Sequence, residues 1–218
     1  MDRYLPVMRF GHIPITGRKI VIHGIPEAGN ILDSLKKGDV LFFDDCLHTQ
    51  YRFVMENRET LLSNMTVMVF GLSTSLIREE GDSPRDDLSS ATFHEMFHRG
   101  DMAAKHGFMT LGELKEVLSL DNAYLACHGD LHIDFRYSPK GSWQKNLLDF
   151  RGDVECSLKT MKDLGLPKTD IFVYPYAVEL PMSRTMLKSM GFRYFFAGSD
   201  SKRIPIEYIT HGFGENRE

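Results

Sequence analysis

The sequence predicts an α/β fold, a distorted (β/α) barrel of six or seven parallel strands. Short apolar runs alternate with segments in which apolar residues recur at helical spacing, as in chains that join parallel strands through helices. Residues 39–43 and 66–70 are apolar at nearly every position, which indicates strands covered on both faces. The chain has no glycine-rich phosphate turn after a strand, and this favours a barrel over a dinucleotide-binding sheet.

Size and charge limit the classes of function. With 218 residues and 42% hydrophobic residues, the chain has room for one sizeable core, so we predict a single domain over residues 1–218, with residues 1–37 as an N-terminal addition. The formal net charge is -4 and the Lys and Arg residues are scattered, which excludes a nucleic acid partner. The N-terminus lacks a signal-like pattern and no apolar run approaches the ~18 residues of a membrane span, so we expect a cytoplasmic protein.

Seven apolar runs predict the strands of the barrel. Glycine or proline closes several of them, as at Gly24, Gly71 and Pro175. The predicted strands are residues 19–23, 39–43, 66–70, 123–127, 171–174, 192–197 and 204–210.

Helical periodicity fills the segments between these runs. Thr110 and Glu113 have the spacing of a capping box, and Gly165 with Pro167 ends the helix that precedes the fifth strand. The predicted helices are residues 51–64, 92–105, 110–118, 154–164 and 183–190. Residues 73–90 are polar, and residues 78–87 within them predict an exposed loop over the site.

Polar residues follow three of the predicted strands. Asp44 and Asp45 follow the second strand, His128 and His132 follow the fourth, and Pro175 with Tyr176 follows the fifth. In a barrel of parallel strands these ends meet at one face. Two imidazoles four residues apart, with a carboxylate from a neighbouring strand, predict a divalent-metal site that leaves room for water and substrate.

This ordered set, Phe-Asp-Asp, then His-x-x-x-His, then Pro-Tyr, resembles the polysaccharide deacetylases (carbohydrate esterase family 4, the NodB-homology domain). The resemblance covers about residues 38–198 and includes the helix-to-strand turn at residues 187–192. It implies a metal-dependent hydrolase that removes an N-acetyl or O-acetyl group from a saccharide, with a divalent metal, zinc, as cofactor. With a cytoplasmic location, a saccharide precursor in surface polysaccharide or O-antigen assembly is the expected substrate.

The resemblance also implies roles for single residues. Asp44 becomes the general base, and the backbone N–H of Tyr176, after Pro175, faces the developing oxyanion. His211, in Ile-Thr-His near the end of the chain, becomes the general acid; His23 is a fallback that the resemblance does not support. The implied metal ligands are Asp45, His128 and His132.

Three positions depart from the family pattern. Cys46 stands where the family has Gly, and Gly129 stands where it has Ser or Thr. Val173 replaces the Arg that pairs with the general base, so either Arg136 serves instead or the pKa of Asp44 is lowered less. This last departure keeps a non-catalytic, saccharide-binding relative open as an alternative.

A rival motif lies at residues 94–98, where His-Glu-Met-Phe-His matches the HExxH pattern of zinc proteases. No third ligand stands at a metzincin-like spacing, and Thr92 with Glu95 fits a capping box. We therefore expect a solvated or half-buried helix face here, with a zinc protease as the weaker alternative.

Overall fold

Six parallel strands form a curled half-barrel in the computed structural model, which describes residues 8–10, 13–15, 19–22, 31–135 and 143–197. Strands β1 and β2 form a separate antiparallel pair, and β3 to β8 pair in parallel, each with the next along the chain. The strands are β1 Met8–Phe10, β2 Ile13–Ile15, β3 Lys19–Ile22, β4 Val40–Asp44, β5 Val67–Leu72, β6 Ala123–Cys127, β7 Ile171–Val173 and β8 Tyr194–Phe196. The predicted α/β barrel-like fold is confirmed.

Two apolar cores cover the two faces of the sheet. Alternate residues such as Leu41 and Phe43 pack against helices in the larger core. Their neighbours Val40 and Phe42 face the inside of the curl, where the core consists of strand residues alone, including Val173 and Phe196. Both faces of the central strands are therefore buried, as their continuous apolar sequence predicts.

In the described part of the chain, six helices connect or cover the strands. They are α1 His48–Glu56, α2 Arg58–Ser63, α3 Ser90–His98, α4 Leu111–Leu118, α5 Trp143–Asp163 and α6 Ser183–Ser189. The predicted capping box of α4 is confirmed, because Thr110 Oγ1 accepts from Glu113 N at 3.1 Å and Glu113 Oε2 accepts from Thr110 N at 2.9 Å.

Helix α3 differs from its prediction at both ends. Its N-cap is Ser89, whose Oγ accepts from Thr92 N at 3.2 Å, so the predicted cap at Thr92 is wrong. The helix stops at His98 because Gly100 adopts a φ of +82°, and a 3-10 turn, Met102–Gly107, takes up the rest of the predicted span.

The polar segment after β5 is anchored at its start. Arg78 is buried, and its Nη2 donates to both carboxylate oxygens of Glu113 at 3.0 Å while its Nε donates to Phe108 O at 3.0 Å. Residues 79–84 are exposed, as predicted, and Asp86 pairs with Arg52 of α1 at 2.8 Å. The segment is thus fixed to α1 and α4.

Strand β3, predicted within residues 19–23, pairs with β4 and so belongs to the main sheet. The seventh predicted strand, residues 204–210, lies outside the described residues, as do His23, Arg136 and His211. Within the described part of the chain, no helix combines the length and apolar character that crossing a membrane requires.

Candidate active site

The inner face of the sheet carries Asp44 and His128 on either side of a glycine. Asp44 ends β4 and lies in register with Gly71 of β5, whose other neighbour, β6, leads directly into His128. A Cβ on Gly71 would lie 3.5 Å from both Asp44 Oδ1 and His128 Cγ. Gly71 therefore leaves the space into which the two side chains project.

The carboxyl end of β4 is held from behind by α1. Gln50 Nε2 donates to Asp44 O and to Ile22 O, both at 2.8 Å, and so ties the ends of β3 and β4 together. The chain then turns through Asp45 and Cys46 with φ values of +78° and +54°. A left-handed conformation at Cys46 accounts for the glycine that the family pattern has at this position.

Three imidazole nitrogens surround one oxygen of Asp45. His132 Nε2 lies 3.1 Å from Asp45 Oδ1 and His128 Nε2 lies 3.5 Å from it. His94 Nε2, from α3, lies closer still, at 3.0 Å. All four side chains are buried. Metal–ligand bonds of about 2.1 Å place neighbouring ligand atoms roughly 3.0–3.4 Å apart, so the Asp45, His128 and His132 spacings fit a shared ion.

The hydrogen bond on the far side of His128 selects its tautomer. His128 Nδ1 lies 2.8 Å from Val173 O, a carbonyl that can only accept, so Nδ1 carries a proton, and in the neutral ring the lone pair is on Nε2, the nitrogen nearer Asp45. This is the arrangement of a metal-binding histidine. The Val173 side chain lies in the inner apolar core, so this position supplies the backbone carbonyl and no cation.

Electrostatics put the site in a metal-binding protonation state. Burial raises the pKa of Asp45, but the charge of His132 and hydrogen bonds from His128, His132 and His94 outweigh it and hold that pKa well below its usual value. Burial lowers the pKa of His132 to about 4. Asp45 is therefore ionised and His132 neutral at neutral pH, the forms that bind metal ions. Burial lowers the pKa of His128, but its interaction with Asp45 and the charge of Asp44 outweigh burial and raise that pKa, so binding of a cation here would compete with a proton on His128.

The loop of residues 128–132 is fixed by two partners. Asp153, on α5, accepts from Asp130 N and Leu131 N, both at 3.0 Å. Thr74 Oγ1 and Ser75 Oγ donate to Asp130 Oδ1 at 2.5 and 2.8 Å.

Gly129 has a φ of +83°, and a Cβ there would collide with Asp153 Oδ2. The Asp153 carboxylate thus occupies the space that a Ser or Thr side chain would need, which explains this departure from the family pattern.

Tyr176 lies at the mouth of the site. It follows Pro175 in a 3-10 turn, Pro175–Ala177, and has a φ of +54°. Its ring is partly exposed and lies 4.6 Å from the His132 ring, centroid to centroid. The strand-end set of Asp44, Asp45, His128, His132 and Tyr176 is therefore brought together at one end of the sheet.

His94 is the site residue that the sequence interpretation missed. It is buried rather than solvated, and its ring stacks on His132 at 3.8 Å with an interplanar angle of 15°. Its neighbour Glu95 is exposed and lies 3.6 Å from Arg99, so it does not face the imidazoles as an HExxH base would. The i, i+4 pair of histidines was the available signal, but nothing in the local sequence indicated which way α3 faces.

Among the described residues, two sets of three have ligand atoms within 4.8 Å of one another, and both include His132. They are Asp45, His128 and His132, and His94, His98 and His132. Only the first contains a carboxylate, and all of its members are buried.

Comparison with known proteins identifies relatives by structure alone. No family model matches the sequence, and no curated protein matches it. The fold is similar to that of a de-N-acetylase from Aggregatibacter actinomycetemcomitans, with a TM-score of 0.54 and 19% identity over 88% of this chain and 74% of that one. The deacetylase domain of BpsB from Bordetella bronchiseptica gives a TM-score of 0.54 and 16% identity over 89% and 76% of the two chains.

IcaB from Ammonifex degensii gives a TM-score of 0.52 with 18% identity over 73% of this chain, which spans 59% of the IcaB chain. These likenesses confirm the resemblance to the polysaccharide deacetylases at the level of the fold.

Proposed function

We propose that the chain is a divalent-metal-dependent deacetylase that hydrolyses an N-acetyl or O-acetyl group on a saccharide. The observation that carries the proposal is the group of two buried imidazole Nε2 atoms within 3.5 Å of Asp45 Oδ1, with His128 Nδ1 committed to Val173 O. A buried carboxylate oxygen with imidazole nitrogens gathered around it is a donor set that suits a cation lying between them. The deacetylase fold supports the reaction class.

Asp45, His128 and His132 would hold the ion, and zinc suits a set of two imidazoles and one carboxylate. Polarisation of the acetyl carbonyl and acidification of a water molecule are what a divalent ion supplies at such a site. The Asp44 carboxylate, beside His128 over Gly71, is suited to remove a proton from the attacking water. The backbone N–H of Tyr176 would stabilise the negative charge that develops on the carbonyl oxygen.

Completion of the reaction needs a proton donor for the leaving group. Water forms the new bond to the acetyl carbon, the bond between that carbon and the nitrogen or oxygen of the sugar breaks, and this nitrogen or oxygen, which stays on the sugar, takes up a proton. We assign this donation to His211 on the family pattern alone. The partly exposed Tyr176 ring beside His132 offers an apolar surface for a sugar ring.

The biological setting follows from the sequence expectation alone. We propose a cytoplasmic enzyme that acts on a saccharide precursor during assembly of a surface polysaccharide such as O-antigen.

The test is acetate release combined with metal analysis. Purified protein loaded with Zn²⁺ is incubated with N-acetylhexosamine oligosaccharides and, separately, with an O-acetylated sugar. We expect acetate from at least one of them, a stoichiometric ion, loss of that ion in His128→Ala, and a fall of about 10²–10⁴ in kcat with the ion retained in Asp44→Asn. His106→Ala, at an exposed histidine hydrogen-bonded to Ser83 O, is the control.

The alternatives give different results. A non-catalytic saccharide-binding relative would bind the oligosaccharide and release no acetate. An HExxH protease would lose its ion in His94→Ala and keep it in His128→Ala. A wild-type chain without a bound ion would refute the proposal.

A further inference from the structure

Helix α3, inserted between β5 and β6, brings His94 to the centre of the site. His94 Nε2 lies 3.0 Å from Asp45 Oδ1, a shorter distance than either predicted imidazole ligand makes to that atom. The side chains of His94 and Asp45 are 6% and 5% exposed. Both groups are therefore removed from solvent and are close enough to interact strongly.

Apart from Asp45, the surroundings of His94 would accommodate an apolar ring equally well. Neither ring nitrogen of His94 has hydrogen-bond geometry to a described residue, so the 3.0 Å approach of Nε2 to Asp45 Oδ1 is a close polar contact, and the ring lies edge-on to Phe108 at 5.5 Å. Burying such a group costs about 1–3 kcal/mol, and an apolar ring would pack here without that cost. The interaction of Nε2 with Asp45 is the feature that an imidazole adds.

Ring geometry distinguishes a supporting role from a ligand role. His94 and His132 stack at 3.8 Å with only 15° between their planes. The lone pairs of ring nitrogens lie in the ring planes, so two parallel, stacked rings cannot both point at one ion. His94 therefore fits a position behind the ligands, with its Nε2 beside the carboxylate and its face against His132.

The helix itself is firmly placed. Ser89 caps α3, and Phe93, next to His94, is buried against Phe108 with ring centroids 5.9 Å apart. The Phe93 ring lies directly over Gly107, where a Cβ would collide with it. Close packing of this kind fixes the direction of the neighbouring side chain.

We propose that His94 is a positioning residue of the metal centre, which holds the Asp45 carboxylate in place through the close contact of Nε2 and the His132 ring through stacking. The inference rests on the proposed function, because it assigns His94 to the site formed by Asp45, His128 and His132. It also explains the HExxH-like sequence: the helix that carries this sequence supports a metal site whose ligands come from other segments of the chain.

Three substitutions separate the two contacts. His94→Ala removes both, His94→Phe keeps a stacking ring without the nitrogen, and His94→Gln keeps an N–H of similar reach without the ring. Zn²⁺ affinity is measured by competition with a chromophoric chelator, and the visible absorption of the Co²⁺-loaded protein reports the ligand geometry. His106→Ala serves as the histidine control, and His128→Ala serves as the ligand control.

We expect His94→Ala and His94→Phe to weaken Zn²⁺ binding by about 10–100-fold and to change the Co²⁺ spectrum, and His94→Gln to recover part of the affinity. If His128→Ala abolishes binding while His94→Phe binds Zn²⁺ with wild-type affinity and spectrum, the inference is refuted and the proposed function stands. Two Zn²⁺ per wild-type chain, one of them lost in His98→Ala, would instead make His94 a ligand of a second ion and refute the positioning role. A wild-type chain with no affinity for Zn²⁺ or Co²⁺ would refute both proposals.

Discussion

Replacing Gly129 by alanine should damage the histidine loop more than backbone strain alone can explain. Gly129 has a φ of +83°, where an L-residue costs about 1–2 kcal/mol. The added Cβ would also displace the Asp153 carboxylate, which accepts two backbone N–H groups of the loop at 3.0 Å. Hydrogen bonds to a charged group contribute roughly 1.5–3 kcal/mol each, so we expect a total loss of about 3–5 kcal/mol even if one bond survives.

The measurement is urea unfolding in the presence of a chelator, so that loss of a bound ion does not contribute. Gly191→Ala is the matched control, since Gly191 has a φ of +97° and a Cβ there would have no atom within 4 Å. The free energy of unfolding of that control should fall only by the cost of backbone strain, about 1–2 kcal/mol. In the double variant Gly129→Ala/Asp153→Ala the collision is gone. Its free energy of unfolding should therefore fall by less than the sum of the decreases in Gly129→Ala and Asp153→Ala, with a difference of more than about 1 kcal/mol. Equal losses for Gly129→Ala and Gly191→Ala, or additive losses in the double variant, would show that Asp153 does not constrain this position.

Two further predictions concern regions away from the ion site. Arg78→Ala should lower the free energy of unfolding by about 3–5 kcal/mol, because it leaves the half-buried Glu113 without its bidentate partner, and Arg78→Lys should recover little of it; urea unfolding of both variants checks this. Burial raises the pKa of Tyr174, so the folded protein keeps this phenol protonated at a pH where the unfolded chain ionises, and stability falls by about 1.4 kcal/mol for each pH unit above 10. Tyr174→Phe loses a 3.0 Å hydrogen bond to Ser183, so it should be less stable than wild type at pH 8. The difference in unfolding free energy should disappear by pH 11, because only wild type loses stability through Tyr174. A difference that stays constant in urea unfolding between these pH values would contradict the raised pKa.

The sheet was predictable because its signal is local. Strands such as β4 and β5 are buried on both faces and therefore apolar at consecutive positions, and the helices between them carry a regular apolar spacing. The short hairpin of β1 and β2 was not predicted, since three-residue strands leave almost no pattern. Helix α5 begins eleven residues before its predicted start. Leu147 and Phe150 continue the apolar spacing of Val154 toward the N-terminus, so the signal was present in the sequence and was missed, with Gly152 interrupting the helical pattern.

The candidate site was predictable where it follows from topology. Parallel strands end at one edge of a sheet, so the position of Asp45 relative to His128 and His132 follows from the strand assignments. The position of His94 beside Asp45 does not follow from the strand assignments, because it depends on how Phe93 packs against Phe108 after a long connection. The support that Asp153 gives to the loop is equally non-local, and a single Asp on a helix is normally a solvated residue.

The wide separation of the site residues along the chain has a consequence for when the proposed metal site can form. Asp45 lies near the start of the sheet, His94 in an inserted helix, and His128 and His132 beyond the third of the central strands. A nascent chain that has emerged only as far as β5 offers one carboxylate and no imidazole from the ligand set, and it cannot retain a metal there. An ion at the proposed site would therefore bind only after synthesis of residue 132, and it would stabilise the finished fold without guiding its early steps.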